Sequence, residues 1–167
     1  IMGWVEGAFA QAADLRGVQS LMTDTIENPR FVQDLLERCV EVEVAFSQAQ
    51  IEAGADLVGL GDAAASLINP RMYRELVLPY QQRIFAAIRD VGGVGRLHIC
   101  GRTTHLLGLM AQSGADIIDV DWMVDLGAAA RIFGEQGVAV CGNFDPVAVM
   151  LQGTPEKVRV AAQDCVA

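Results

Sequence analysis

The chain has 167 residues, 52% of them hydrophobic and 20% charged, with mean hydropathy +0.32 and a formal net charge of −9. This balance excludes a disordered tail, a collagen-like chain and a coiled coil, and leaves one domain with a sizeable core. The basic residues are 11 arginines and the single Lys157. They form no stripe for duplex nucleic acid or an anionic membrane, and leave little scope for P-loop or Schiff-base lysine chemistry.

Short apolar runs alternate with longer amphipathic segments. The chain opens on Ile1-Met2-Gly3-Trp4-Val5, which reads as a strand and as the start of a piece of something longer. Asn28-Pro29 reads as a cap followed by a first-turn proline. From there Phe31, Leu35, Val42, Ala45, Phe46 and Ala49 recur at helical spacing up to Gly54. Asp56 to Leu60 is a strand. Asn69-Pro70 opens a helix that runs to about Val91, with Pro79 expected to kink it. Then come a strand over 96–100, a helix over 103–112, a strand over 116–120, a helix over 125–133 and a strand over 138–141. Thr154-Pro155-Glu156 caps a last helix.

The βαβα order implies parallel strands with right-handed crossovers. Gly54-Ala-Asp-Leu-Val-Gly-Leu-Gly-Asp62 is echoed by Gly114-Ala-Asp-Ile-Ile-Asp-Val-Asp121, and the later units are short and even. Evenness favours a (β/α)8 barrel over an open sheet. The fold class is therefore α/β, the middle-to-late portion of a TIM barrel with about five of its eight strands. The four strands from Asp56 onward should be parallel neighbours with their helices on one outer side. The missing strands are expected from further chain or from a second copy meeting the exposed barrel edges.

Cys39, Cys100, Cys141 and Cys165 are too few and too scattered for a disulfide scaffold. There is no uncharged apolar run of about 18 residues and no signal-peptide pattern, so a reduced, cytoplasmic protein is expected. Gly59-Leu-Gly61-Asp-Ala-Ala64 imitates a dinucleotide fingerprint. Asp62 would face the pyrophosphate and Pro70 delays the helix, so that reading is set aside.

Polar residues gather at strand ends: Glu6, Asp62, His98 with Cys100, Asp121 with Trp122, and Asn143 with Asp145. In a barrel that edge carries the active site. Loops are polar in any case, and Asp145-Pro146 can simply start a helix. The sharpest feature is His98-Ile99-Cys100-Gly101. Residues i and i+2 of a strand share a face, so imidazole and thiol meet at one point, and both donor types suit Zn²⁺. The alternative is a buried cysteine beside a core histidine. Cys141 is a weaker third ligand and reads more simply as a small buried residue. Cys39 and Cys165 read as helix thiols and His105 as a surface or capping residue.

These words together resemble the uroporphyrinogen decarboxylase superfamily, which also holds zinc- and corrinoid-linked methyltransferases. The matching segments are Gly3-Trp4-Val5-Glu6-Gly7, Ala53-Gly54-Ala55-Asp56 with Gly61-Asp62, Leu78-Pro79-Tyr80, Leu97-His-Ile-Cys-Gly101, Val120-Asp121-Trp122 and Cys141-Gly-Asn-Phe-Asp-Pro146. The resemblance implies a (β/α)8 barrel. Its methyltransferase branch implies zinc held by His98 and Cys100, with a later cysteine beyond Ala167 rather than Cys165. It also implies methyl transfer from a methylated corrinoid protein to a thiol. Asp62 and Asp121 would then serve catalysis by orienting ligands or substrate, with Glu6, Asn143 and Asp145 shaping the substrate mouth. The decarboxylase branch implies cofactor-free loss of carboxyl groups from a tetrapyrrole. Ala63 stands where that branch usually has a serine. A third reading is a non-catalytic barrel that binds a corrinoid or small molecule.

Overall fold

The computed structural model describes residues 1–166. The elements, in chain order, are β1 (Met2–Glu6), α1 (Ala8–Arg16), α2 (Val18–Glu27), α3 (Pro29–Glu52), β2 (Leu57–Gly61), α4 (Pro70–Leu76), α5 (Leu78–Asp90), β3 (Val94–Ile99), α6 (Leu107–Met110), β4 (Ile117–Val120), α7 (Leu126–Gly134), β5 (Ala139–Cys141) and α8 (Pro155–Asp164). Tight 3₁₀ turns occupy Ala63–Leu67 and Thr104–Leu106, and a wider π-type turn occupies Pro146–Leu151.

The strands form one sheet in the order β1-β2-β3-β4-β5, every pair parallel. Sequential order without reversal is the arrangement of a barrel wall, and the two echoed segments are β2 and β4 with their lead-in turns. Val5, Val58, Leu60, Leu97, Ile99, Ile118 and Val120 alternate along the strands and are buried against the helices. Phe9, Tyr73, Ile84, Phe85, Ile88 and Phe133 meet them from the helical layer. No helix among the described residues is long and apolar enough to cross a membrane.

Several local expectations are corrected. Residues 8–27, given no element from sequence, form α1 and α2. Five α1 residues are buried, four of them alanines, so α1 carries no amphipathic stripe to read. Asn28 does not cap α3; its amide donates to Asp24 instead. Phe31, Val42 and Phe46 are exposed, while Val32, Leu36, Cys39, Val40, Glu43 and Ser47 turn inward. The inward face is set by packing on α1, α5 and β1, which overrides the more apolar stripe. The expected kinked helix over 70–91 is two helices, broken at Val77 with φ −124° and ψ −58°. Pro79 then sits in the first turn of α5, where its missing N–H costs nothing. Residues 103–112 form a 3₁₀ turn and a single α turn rather than one helix. Asn69, Asp125 and Thr154 do cap their helices, accepting from Met72, Ala128 and Lys157 backbone N–H groups.

Candidate active site

The strand register builds two rows on the face turned away from the helices. In the lower row Trp4, Gly59, Arg96, Ile117 and Ala139 stand side by side; in the upper row Glu6, Gly61, His98, Asp119 and Cys141 do. Cys100 follows β3 two residues after His98 and so continues the same face. The Trp4 indole lies across β2. A Cβ on Gly59 would come within 2.4 Å of its ring and one on Gly61 within 2.8 Å. The two glycines are the floor that lets the indole lie flat. Trp4 Nε1 donates to Glu6 Oε1 at 3.1 Å, and the indole and imidazole centroids of Trp4 and His98 are 6.4 Å apart.

His98 Nε2 lies 3.1 Å from Cys100 Sγ. Gly101 turns the chain immediately afterwards at φ +90°, a conformation that glycine adopts without penalty. Its N–H donates to Asp121 Oδ2 at 2.9 Å, while Asp121 Oδ1 accepts from Met123 N–H at 3.0 Å. Burial, then the negative charges of Asp121 and Glu6, push the Cys100 thiol above its ordinary range. Beneath the pair, Arg96 Nε lies 2.9 Å from both oxygens of Asp119, and Arg96 Nη2 lies 2.8 Å from Oδ2. His98 Nδ1 is 3.4 Å from the same Oδ2. Burial works against the Asp119 carboxylate, but His98 and Arg96 outweigh it and hold its pKa below the usual range.

A cleft of about 390 Å³ opens beside Cys100, walled by Ala10, Ala13, Ala64 and Leu67 and rimmed by Glu6 and Asp14. The structure thus brings Cys100 and Glu6 to one mouth, with His98 beside Cys100 and Asp121 clamping the turn behind it. Asn143 is stitched to that clamp, its amide donating to the carbonyls of Asp121 at 2.9 Å and Val124 at 2.7 Å. Asp145 caps the turn over 146–151, accepting from the N–H groups of Val147 and Ala148. Asp62 lies behind the mouth. It is buried, with Oδ1 accepting from Ala10 N–H at 3.0 Å and Oδ2 from Gln81 Nε2 at 2.9 Å. Gln81 Oε1 in turn accepts from Tyr73 at 2.7 Å. Burial raises Asp62 to a pKa of about 7 against those two hydrogen bonds.

Cys141, expected to be a buried residue, is exposed, with Arg96 Nη2 at 3.8 Å. Cys39 is buried in α3, and Cys165 follows α8 and accepts from Asn143 N–H. His105 is exposed and contacts the Ile68 carbonyl. Sequence reasoning missed Trp4, Arg96 and Asp119. Stepping back by two from His98 and from Asp121 finds the last two, because same-face residues alternate along a strand.

As a test of fit for zinc, His98 and Cys100 supply the right donor atoms on one face at one point. Among the described residues no third His, Cys, Asp or Glu joins them to complete a metal site. The pair accounts for two corners of such a site.

Compared with known proteins, residues 1–167 match the family model for uroporphyrinogen decarboxylase (URO-D). The chain belongs to the URO-D family. A methylcobamide:CoM methyltransferase, MtbA, from Methanosarcina mazei is 34% identical over 165 residues, covering 98% of this chain and 48% of that protein. A uroporphyrinogen decarboxylase from Nocardia farcinica is 43% identical over 126 residues, covering 75% of this chain and 35% of that protein. Among solved structures, a methyltransferase from Methanosarcina mazei superposes with a TM-score of 0.91 at 26% identity, over 99% of this chain and 49% of that one. The chain thus spans about half the length, or less, of these URO-D relatives. The five-stranded wall is part of the URO-D barrel, and the URO-D relatives include both methyltransferases and decarboxylases.

Proposed function

We propose that this chain carries the metal-binding wall of a zinc-dependent methyltransferase, which moves methyl from a methylated corrinoid protein to a thiol. The observation that supports this is the His98 Nε2–Cys100 Sγ separation of 3.1 Å on the open face, at the end of β3. When bound, zinc supplies Lewis acidity that stabilises an acceptor thiolate near neutral pH. His98 would offer Nε2 and Cys100 its sulfur after losing the thiol proton. Gly101 and Asp121 hold the turn that aims Cys100. The cleft between Leu67 and Glu6 would seat the acceptor, and its alanine and leucine walls would exclude water around the sulfur. As the acceptor sulfur attacks, the S–C bond forms while the Co–C bond of the donor breaks, and that bond's electron pair leaves with cobalt. Four free cysteines are consistent with a reducing, cytoplasmic setting.

The test belongs on the native full-length protein. Wild type should retain zinc and methylate a thiol, and His98→Ala and Cys100→Ser should each lose zinc and transfer together. Full activity in both variants would overturn the reading. Zinc-free decarboxylation of a tetrapyrrole by wild type would establish the second reading, which the 43% identity to a decarboxylase favours. Against it, Arg96 is engaged by Asp119 rather than open to a substrate carboxylate.

A further inference from the structure

The upper row places a charged residue where neither row needs one for packing. Asp119 stands between His98 and Cys141 in the register, on β4, with its carboxylate almost covered. A carboxylate in that position is unfavourable unless something fixes it, and Arg96 does so by gripping both oxygens from the adjacent strand. The result is an acceptor held rigidly under one nitrogen of one imidazole. Oδ2 faces His98 Nδ1 at 3.4 Å, and the other nitrogen faces Cys100.

A neutral histidine carries one proton, and the group facing one nitrogen decides where it sits. A carboxylate can only accept. A thiol facing the opposite nitrogen can donate. Both neighbours therefore demand the same tautomer. We propose that Asp119, held by Arg96, is a positioning residue that fixes the proton of His98 on Nδ1 and leaves Nε2 free as a donor atom beside Cys100. The tautomer is a property of the chain itself; its use in holding a metal rests on the function proposed above. Neither Asp119 nor Arg96 touches the point between Nε2 and Sγ, so their effect passes through the imidazole.

The test reads the proton directly. Histidine-selective ¹⁵N labelling and long-range ¹H–¹⁵N correlation at about pH 8, above the ordinary histidine range, separate protonated from unprotonated ring nitrogens. Comparison with His98→Gln, whose spectrum lacks the His98 ring signals, assigns them. Wild type should show Nδ1 protonated and Nε2 bare. Asp119→Asn, whose amide oxygen still accepts, should keep that tautomer. Asp119→Ala should convert His98 to a mixture of both. The double variant Arg96→Met with Asp119→Ala removes both charges, leaves none stranded, and should give the same mixture if the single variant does not fold. In the native protein, Asp119→Ala should weaken zinc binding about 10- to 100-fold, the usual effect of losing a ligand's outer partner.

A protonated Nε2 in wild type, or a doubly protonated ring, overturns the proposal without any variant. An unchanged tautomer in folded Asp119→Ala, or in the double variant, reduces Asp119 to a counter-ion for Arg96 and overturns it as well. The two proposals fail separately. Absence of zinc-dependent methyl transfer removes the function but leaves the tautomer result standing. Methyl transfer with a protonated Nε2 in the metal-free chain removes the positioning role alone.

Discussion

The two faces of the five-stranded sheet are made by the same strands, residues alternating one by one between them, and they differ in burial and in polarity. The face toward the helices carries Val58, Leu60, Leu97, Ile99, Ile118 and Val120, all buried and apolar. The face away from them carries Trp4 bonded to Glu6, and Arg96 paired with Asp119 and in contact with Cys141, with His98 against the same carboxylate. Fold stability and chemistry are therefore divided by parity along the strand rather than by region of the sequence. A substitution should be judged first by which side of the sheet it enters.

The strongest way to break this division is from the helical side. Phe85 on α5 is 1% exposed and packs on Gly95 of β3. Phe85→Ala should cost about 3–5 kcal/mol through lost burial and a residual cavity, measured as a lower urea midpoint with an unchanged slope. An unchanged midpoint would mean that the helical face does not carry the stability.

A second expected effect belongs to a charge behind the sheet. Asp62 has a pKa of about 7 when folded, against 3.8 as its unperturbed value. Between those values the folded chain holds a proton that the unfolded chain has released. The stability that Asp62 contributes is thus complete below about pH 4 and is lost as pH rises to about 7. The slope approaches −1.4 kcal/mol per pH unit for a single proton. Asp62→Asn should flatten that segment in urea unfolding followed across the window. Asp119, whose pKa is lowered, acts with the opposite sign and below that window, so the two are separable. An Asp62→Asn profile with the same slope as wild type through the window would show that Asp62 folds as a carboxylate.

The smallest expected effect comes from the open face. Val94 is 39% exposed at the start of β3, and Val94→Thr in this chain should change stability by no more than about 0.5 kcal/mol. The same change in a protein whose barrel is closed over that face should cost more, because the added hydroxyl would then be buried. Measuring both sharpens the comparison into a direct reading of what covers the inner face.

The strands were legible because short apolar runs between glycine-rich turns have few alternative readings, and all five stand within two residues of their expected places. His98 and Cys100 were legible because alternation along a strand is a strict rule. Arg96 and Asp119 obey the same rule. They escaped notice because strand ends, not strand interiors, drew attention to chemistry, and a mid-strand charge has meaning only beside its partner on the next strand. The buried face of α3 escaped because its outward stripe, with Phe31, Val42 and Phe46, is the more apolar. The break at Val77 escaped because Pro79 looks the same from sequence whether it kinks a helix or begins one.

Asp121 accepts at one oxygen from the turn after β3 and at the other from the turn after β4, and Asn143 ties the segment after β5 to the same place. Three loops that a barrel would otherwise be free to lengthen one at a time are fastened through one residue, two at its carboxylate and the third at its main-chain carbonyl. An insertion in any of them would pull on Gly101 and shift Cys100. This rim can change its specificity cheaply by exchanging side chains. It can change by altering loop length only after Asp121 has been released.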